Sequence, residues 1–214
     1  VTDAERRDFI LEHTRLAPVP LVPEIQIRRA EAVTPVWFEM ARRLDDDDVD
    51  VPFWCVPWAG GQALARYVLD HPAFVRGKRV LDFACGGGLV AIAAARAGAD
   101  VRAVDIDPLA AVATKLNAAA NGVDIDVTTT DIVGDALPEL DLLLAGDIWY
   151  EPAPSATFRR WFRKLAIPVI TADSGRPYAP RRVRELARYE VPTPFELEAR
   201  MTRTARIVTF ERER

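Results

Sequence analysis

The chain is predicted to be an α/β protein built on a mainly parallel sheet with helices on both faces. Three observations predict it. Residues 80–91, VLDFACGGGLVA, place a buried apolar run and an aspartate before three consecutive glycines and an apolar helical opening. From Lys78 onward, apolar runs of strand length alternate with segments of helical period, the pattern of linked βαβ units. Asp105 and Asp131 then end the second and third of those runs, where a sheet of this kind opens its ligand crevice.

Composition narrows the alternatives. The 214 residues are 50% hydrophobic, enough for a sizeable core. The 28 Lys and Arg against 32 Asp and Glu leave a net charge of -4, which argues against a nucleic-acid partner bound through a basic face. Cys55 and Cys85 lack metal-ligand spacing, so both read as small buried apolar residues in a reducing compartment. No metal is expected. Charged residues Asp3, Glu5, Arg6, Arg7 and Asp8 precede the first apolar cluster, and no run is long enough to span a membrane. A cytoplasmic location with no membrane partner is therefore expected.

In chain order, residues 2–14 form a charged helix with Phe9 and Ile10 turned inward, and the prolines of 17–23 keep the next stretch extended. EIQIRRAEAV, from Glu24, alternates as a strand or extended arm. Thr34-Pro35 offers a cap and a first-turn proline for WFEMARRL. The aspartates of 45–48 read as a solvated loop or as a docking surface for a basic partner. Residues 1–50 are thus an N-terminal extension and 51–214 the main domain.

Pro52 and Pro57 hold the next segment extended, with Trp54 and Trp58 as core or as pocket wall. Gly60-Gly61 opens a helix that ends at His71-Pro72, with Leu64, Val68 and Leu69 on its apolar face. Strands follow at 78–84, 100–106, 123–130, 141–147 and 167–173. Helices fall at 88–98, stopped by Gly98, at 108–121, stopped by Asn121-Gly122, and at 155–165. RRVRELARY (181–189) is expected to be a further helix. An antiparallel hairpin from YEVPTPF and RTARIVTFE closes the sheet edge.

The glycine turn is of the kind that receives a nucleotide. Glycines permit positive φ and close approach of a ligand to the main chain, and the helix N-terminus beyond presents unpaired N–H groups. Asp105 lies about 20 residues past Gly86, the spacing of a ribose-binding carboxylate. Asp131 is placed to accept from an adenine amino group. Each aspartate alone reads as a surface turn; three in register at successive strand ends point to an adenosine site. Gly86-x-Gly88-x-x-Ala91 also matches the dinucleotide fingerprint, which keeps an NAD-binding oxidoreductase as an alternative. Asp82 weighs against it, because a carboxylate there repels a pyrophosphate. It suits a cofactor with an amino group and a sulfonium, S-adenosyl-L-methionine.

At these residues the chain resembles the seven-strand class I methyltransferases. The blocks PFWCVPWAGGQALARYVLDHP, VLDFACGGG, VDIDPLAAVATKLNAAANG, AGDIWYEP and ADSGRP are similar to those of the electron transfer flavoprotein beta-subunit lysine methyltransferases. The resemblance runs from about Pro23 onward. It departs at Trp149-Tyr150-Glu151, where the family more often has Phe-Tyr-Asp, and at Asp173-Ser174. It implies a Rossmann-like sheet of strand order 3-2-1-4-5-7-6. It also implies cofactor contacts from Asp82, Gly86, Gly88, Asp105 and Ile106, with Asp131 and Ile132 bordering the adenine and Trp58 and Gly61 closing the pocket. The implied partner is the electron transfer flavoprotein beta subunit; a small-molecule amine or a ribosomal protein is the alternative acceptor.

Methyl transfer from a sulfonium disperses charge, so the acceptor end needs alignment and a dry wall more than strong acids and bases. The stretch GDIWYEP supplies candidates. Trp149 and Tyr150 offer aromatic faces to a cation, and Asp147 or Glu151 can attract and orient an incoming lysine. Glu151 also reads as an acid complementing a helix N-terminus. Arg176 engages an acidic patch of a protein substrate or pairs with a neighbouring carboxylate. The Asn/Asp-Pro-Pro-Tyr/Phe tetrad of enzymes acting on amides and base amino groups does not occur here. His13 and His71 are assigned no role.

Overall fold

A computed structural model describes residues 1–44, 49–194, 196–198 and 200–210. The aspartate run at 45–48 lies outside the described residues. The N-terminal helix α1 (Asp3–His13) is closed by a reciprocal cap, Thr2 accepting from Glu5 N while the Glu5 carboxylate accepts from Thr2 N. Strands β1 (Arg15–Val19) and β2 (Val22–Arg29) pair antiparallel as a separate two-stranded sheet. Helix α2 (Val33–Leu44) starts at Val33, so Thr34 lies in its first turn rather than capping it.

A 3₁₀ turn at Phe53–Cys55 leads into α3 (Ala59–Asp70). The main sheet and its helices follow as β3 (Arg79–Phe83), α4 (Leu89–Arg96), β4 (Asp100–Val104), α5 (Pro108–Ala120) and β5 (Asp126–Thr128). The second half is β6 (Leu142–Ala145), α6 (Pro152–Phe162), β7 (Val169–Asp173), β8 (Val183–Pro192) and β9 (Thr202–Phe210). The order across the sheet is β5-β4-β3-β6-β7-β9-β8, parallel except that β9 runs antiparallel to both neighbours. Counted from β3, this is the 3-2-1-4-5-7-6 order that the resemblance implied.

The pleat explains the sequence pattern. Val80, Leu142 and Leu144 pack with α3 and α4 on one face, while Leu81, Phe83, Leu143 and Ala145 pack with α6 on the other. Both faces are dry, so these strands read as continuous apolar runs. The first thirty residues join the same core: Val19, Val22 and Ile25 are fully buried among the α3 and α4 side chains. Asn117 of α5 and its C-cap Asn121 pair with the β2 backbone, Arg28 N donating to Asn117 Oδ1 at 2.8 Å and Gln26 N to Asn121 Oδ1 at 3.1 Å.

One expected element is corrected. Residues 181–189 are not helical; 183–192 form β8, paired antiparallel with β9 along its length with one bulge between Glu185 and Ala187. RRVRELARY has ordinary helix formers, but Pro177 and Pro180 break the preceding chain, and a strand satisfies the edge of β9. Tertiary pairing overrides local propensity here. The edge hairpin was expected; its first strand simply begins earlier than the sequence suggested.

Candidate active site

The carboxyl edge of β3 turns through Ala84, Gly86 and Gly88, all at positive φ (53°, 53° and 77°). The turn is packed as tightly as the sequence implied. A Cβ on Gly87 would lie 2.6 Å from the Trp54 carbonyl oxygen, and one on Gly88 would lie 2.6 Å from the Thr114 side chain. Helix α5 grips the turn from outside: Thr114 Oγ1 donates to the Gly86 oxygen at 2.9 Å and Asn117 Nδ2 to the Gly87 oxygen at 2.8 Å. Sequence reasoning missed both residues, because nothing in a helix marks which polar side chain reaches back to a loop.

Three aspartates converge on the turn. Asp82, 1% exposed, accepts from Ala91 N in the first turn of α4 at 2.8 Å. Burial pushes its carboxyl up to about 8, with the Ala91 bond opposing and the Asp105 charge adding. Asp105 accepts from Gly86 N at 2.8 Å and from Asp107 N at 3.0 Å, and burial raises its pKa too. Asp107 caps α5 by accepting from Leu109 N at 2.8 Å, and burial raises it to about 6.

These groups open onto a cavity of about 1450 Å³. Asp82, Gly86, Asp105, Ile106, Asp131 and Ile132 line it, as do Trp58, Gly61, Asp147, Tyr150, Glu151 and Arg176. Ile106 is 72% exposed, a large apolar side chain left open beside the ribose-type carboxylate. Asp131 closes a local turn by accepting from Val133 N at 3.0 Å. Gly88 does not line the cavity; it is the left-handed residue that starts α4 against Thr114.

This donor set fits a cationic adenosine cofactor. Asp82, Asp105 and Asp131 line the cavity around the glycine turn, and a Cβ on Gly61 would meet nothing within 4 Å. Among the described residues, no three His, Cys, Asp or Glu converge as a metal site, and no helix is long and apolar enough to cross a membrane.

At the carboxyl edge of β6 the geometry is an ion-pair lattice. Arg176 donates through Nε to Asp147 Oδ1 at 2.9 Å and through Nη2 to Asp147 Oδ2 at 3.2 Å. Asp147 also accepts from Gly60 N at 3.0 Å and from Ser174 Oγ. Arg176 Nη2 reaches Glu198 Oε1 at 3.1 Å, and the fully buried Glu198 carboxylate also accepts from Arg203 Nε. Of the two readings of Arg176, pairing with a neighbouring carboxylate is the one observed. Its guanidinium also lies 5.6 Å from the Trp58 ring centroid. Trp58 therefore belongs to the pocket wall; Trp54 also lines the cavity but is 1% exposed and packs mainly with the helix core.

Trp149 is a correction. It was expected to offer an aromatic face to a cation, but its side chain is fully buried, Nε1 donating to Thr171 Oγ1 at 3.1 Å, with its ring against Phe162 and Phe210. Alternation after β6 turns this residue into the core and leaves Tyr150, 42% exposed, on the cavity side.

The ribosomal protein L11 methyltransferase family (PrmA) matches residues 63–146. Electron transfer flavoprotein beta subunit lysine methyltransferase from Mus musculus is 34% identical over 220 residues, covering 97% of this chain and 85% of that protein. The protein of the same name from Homo sapiens is 36% identical over 182 residues, covering 82% and 68%. Magnesium protoporphyrin IX methyltransferase from Synechocystis, solved with bound SAM, superposes with a TM-score of 0.54 at 18% identity, covering 81% of this chain and 91% of that one. That last likeness shows the fold alone.

Proposed function

The chain belongs to the electron transfer flavoprotein beta subunit lysine methyltransferases, and on that premise we propose that it methylates lysine side chains of that subunit with S-adenosyl-L-methionine. The observation that carries the reading is that one cavity is lined both by the glycine turn with its aspartates and by Asp147, Tyr150 and Glu151. Residues of the first set would hold the cofactor, and those of the second would face the end that supplies the methyl group.

When bound, the cofactor supplies an electrophilic methyl group on sulfur. The protein's own residues do the rest. Asp105, tied to Gly86 N, would accept from the ribose hydroxyls, and Ile106 would pack beside the adenine. The carboxylates of Asp82 and Asp105 favour the cofactor's positive charge. At the acceptor end, the aromatic wall excludes water, and partial burial favours the neutral amine that attack requires. Glu151, exposed at the start of α6 with no side-chain cap bond, is free to draw in a cationic lysine. Asp147 is a positioning residue: with four donors already on its oxygens it orders Gly60, Ser174 and Arg176 instead of meeting the amine.

The ribosomal-protein reading has a narrower base. The L11-type match stops at residue 146, before Tyr150, Glu151 and Arg176, and so spans the cofactor half without the acceptor rim. A thermal-shift series tests the cofactor assignment: S-adenosylhomocysteine is expected to raise the melting temperature and NAD to leave it unchanged. Stabilisation by NAD alone would reject the reading. Label transfer from methyl-labelled cofactor into purified beta subunit, purified ribosomal protein L11 and a small-metabolite fraction separates the acceptors.

A further inference from the structure

With Trp149 turned into the core, the sequence-assigned aromatic wall loses one of its two rings, and the structure supplies another. Phe53, at the start of the 3₁₀ turn, stands with its ring centroid 5.1 Å from Tyr150 and 5.8 Å from Trp58. All three rings line the cavity, and Asp50 and Glu151 line it with them. The outer face of this run is thus an aromatic strip with carboxylates beside it. One of its members already binds a cation, since the Arg176 guanidinium sits over Trp58. That occupies Trp58 and leaves Phe53 and Tyr150 as the part of the strip without such a partner among the described contacts.

The position of Phe53 is built in. Pro52 precedes the turn, and Trp58 Nε1 donates to the Phe53 carbonyl oxygen at 2.9 Å, clamping the Phe53 backbone while leaving its ring half-buried on the cavity wall. The Tyr150 hydroxyl is raised to about 12, first by burial and then by the negative charges of Glu151, Asp105, Asp147 and Asp50. The surroundings of the strip are therefore both apolar and electronegative. That pairing suits an alkyl chain ending in an ammonium, which needs a greasy path for its methylenes and a π-face or carboxylate for its charge.

We infer that Phe53 and Tyr150 form the acceptor subsite, a channel wall that receives the side chain of the acceptor lysine as its ammonium and keeps the alkyl stem and amino head in place once the proton has been lost to solvent, with Asp50 and Glu151 at its edge. The inference deepens the lysine-methyltransferase reading and rests on it. Phe53 is the specificity-determining residue of that wall.

Phe53→Leu keeps an apolar side chain of similar reach and removes the π-face; Phe53→Tyr keeps the ring. Phe53→Leu is expected to raise KM for the beta subunit by about tenfold while S-adenosylhomocysteine affinity and melting temperature stay near wild type. Phe53→Tyr is expected to stay close to wild type in KM. A second measurement does not need the protein substrate: binding of a butyltrimethylammonium ion to the S-adenosylhomocysteine complex, followed by NMR against its neutral 3,3-dimethylbutyl counterpart. The cation is expected to bind the wild type in preference to the neutral compound and to lose that preference in Phe53→Leu. An unchanged KM in Phe53→Leu, or a cation preference that survives it, overturns the subsite. So does a parallel loss of cofactor affinity, which would make Phe53 a cofactor residue. If the wild type binds the cation but leaves the beta subunit unmethylated, the subsite stands and the acceptor protein is wrong.

Discussion

Arg176 holds Asp147 by both carboxylate oxygens, at 2.9 and 3.2 Å, and the same guanidinium reaches Glu198 at 3.1 Å. The pair ties together the loops after β6 and β7, the start of α3 through Gly60, and the segment joining β8 to β9. That segment is fixed at a second point, where the Glu196 carboxylate accepts from Val33 N at 2.6 Å and from Thr34 Oγ1 at 2.5 Å. The acceptor rim is thus assembled from distant parts of the chain by charge.

Breaking that lattice should be costly. Arg176→Met leaves two buried carboxylates without their shared cation, a loss of about 3–5 kcal/mol measurable by urea denaturation. Asp147→Ala should lower turnover with S-adenosylhomocysteine still bound. Unchanged turnover in Asp147→Ala would remove it from the site.

Trp149 separates core from site. Trp149→Ala should destabilise the protein by about 3–5 kcal/mol, whereas Trp149→Phe, which keeps an aromatic filler, should leave KM for cofactor and acceptor unchanged. A selective rise in acceptor KM in Trp149→Phe would return this residue to the cavity wall.

Ala84 is the non-glycine residue at positive φ among those described, and it is exposed. Ala84→Gly removes the Cβ from a left-handed backbone and should stabilise the protein by about 0.5–1 kcal/mol. A lower melting temperature would mean that the methyl group makes contacts that outweigh its strain.

The buried aspartates set a pH dependence. Asp82 near 8 and Asp107 near 6 both lie above the ordinary carboxyl value of 3.8. The folded protein without cofactor therefore holds protons that the unfolded chain releases. Their contribution to stability is complete below about 4 and fades as the pH rises through 6 and then 8. A cationic cofactor favours the ionised carboxylates, so its binding should release protons and tighten as the pH rises across that range. Calorimetry at pH 7 in buffers of differing ionisation enthalpy should detect the release, and Asp82→Asn should reduce it. Proton uptake on binding would contradict this assignment.

Much of this was legible in the sequence because the signals were local. The glycine turn, the strand-end aspartates and the alternation of runs each occupy a few consecutive residues, and the cavity brings them together. What stayed hidden depended on partners distant in the chain. Residues 183–192 form a strand because β9 is there to pair with them. Trp149 and Tyr150 are adjacent in sequence yet face opposite ways, which no composition reveals. Phe53 lies in a segment whose prolines predict only an extended chain, and it takes the 3₁₀ turn to set its ring beside Tyr150. Glu198 carried no motif at all, and only folding places it between two arginines.

The most direct test of the central claim is tandem mass spectrometry of purified, unmethylated electron transfer flavoprotein beta subunit after incubation with this protein and S-adenosyl-L-methionine. The account predicts whole-methyl mass increments on lysine, absent with Asp105→Ala at the same cofactor concentration. A beta subunit left without any methyl increment, under conditions where the protein binds the cofactor, would contradict it.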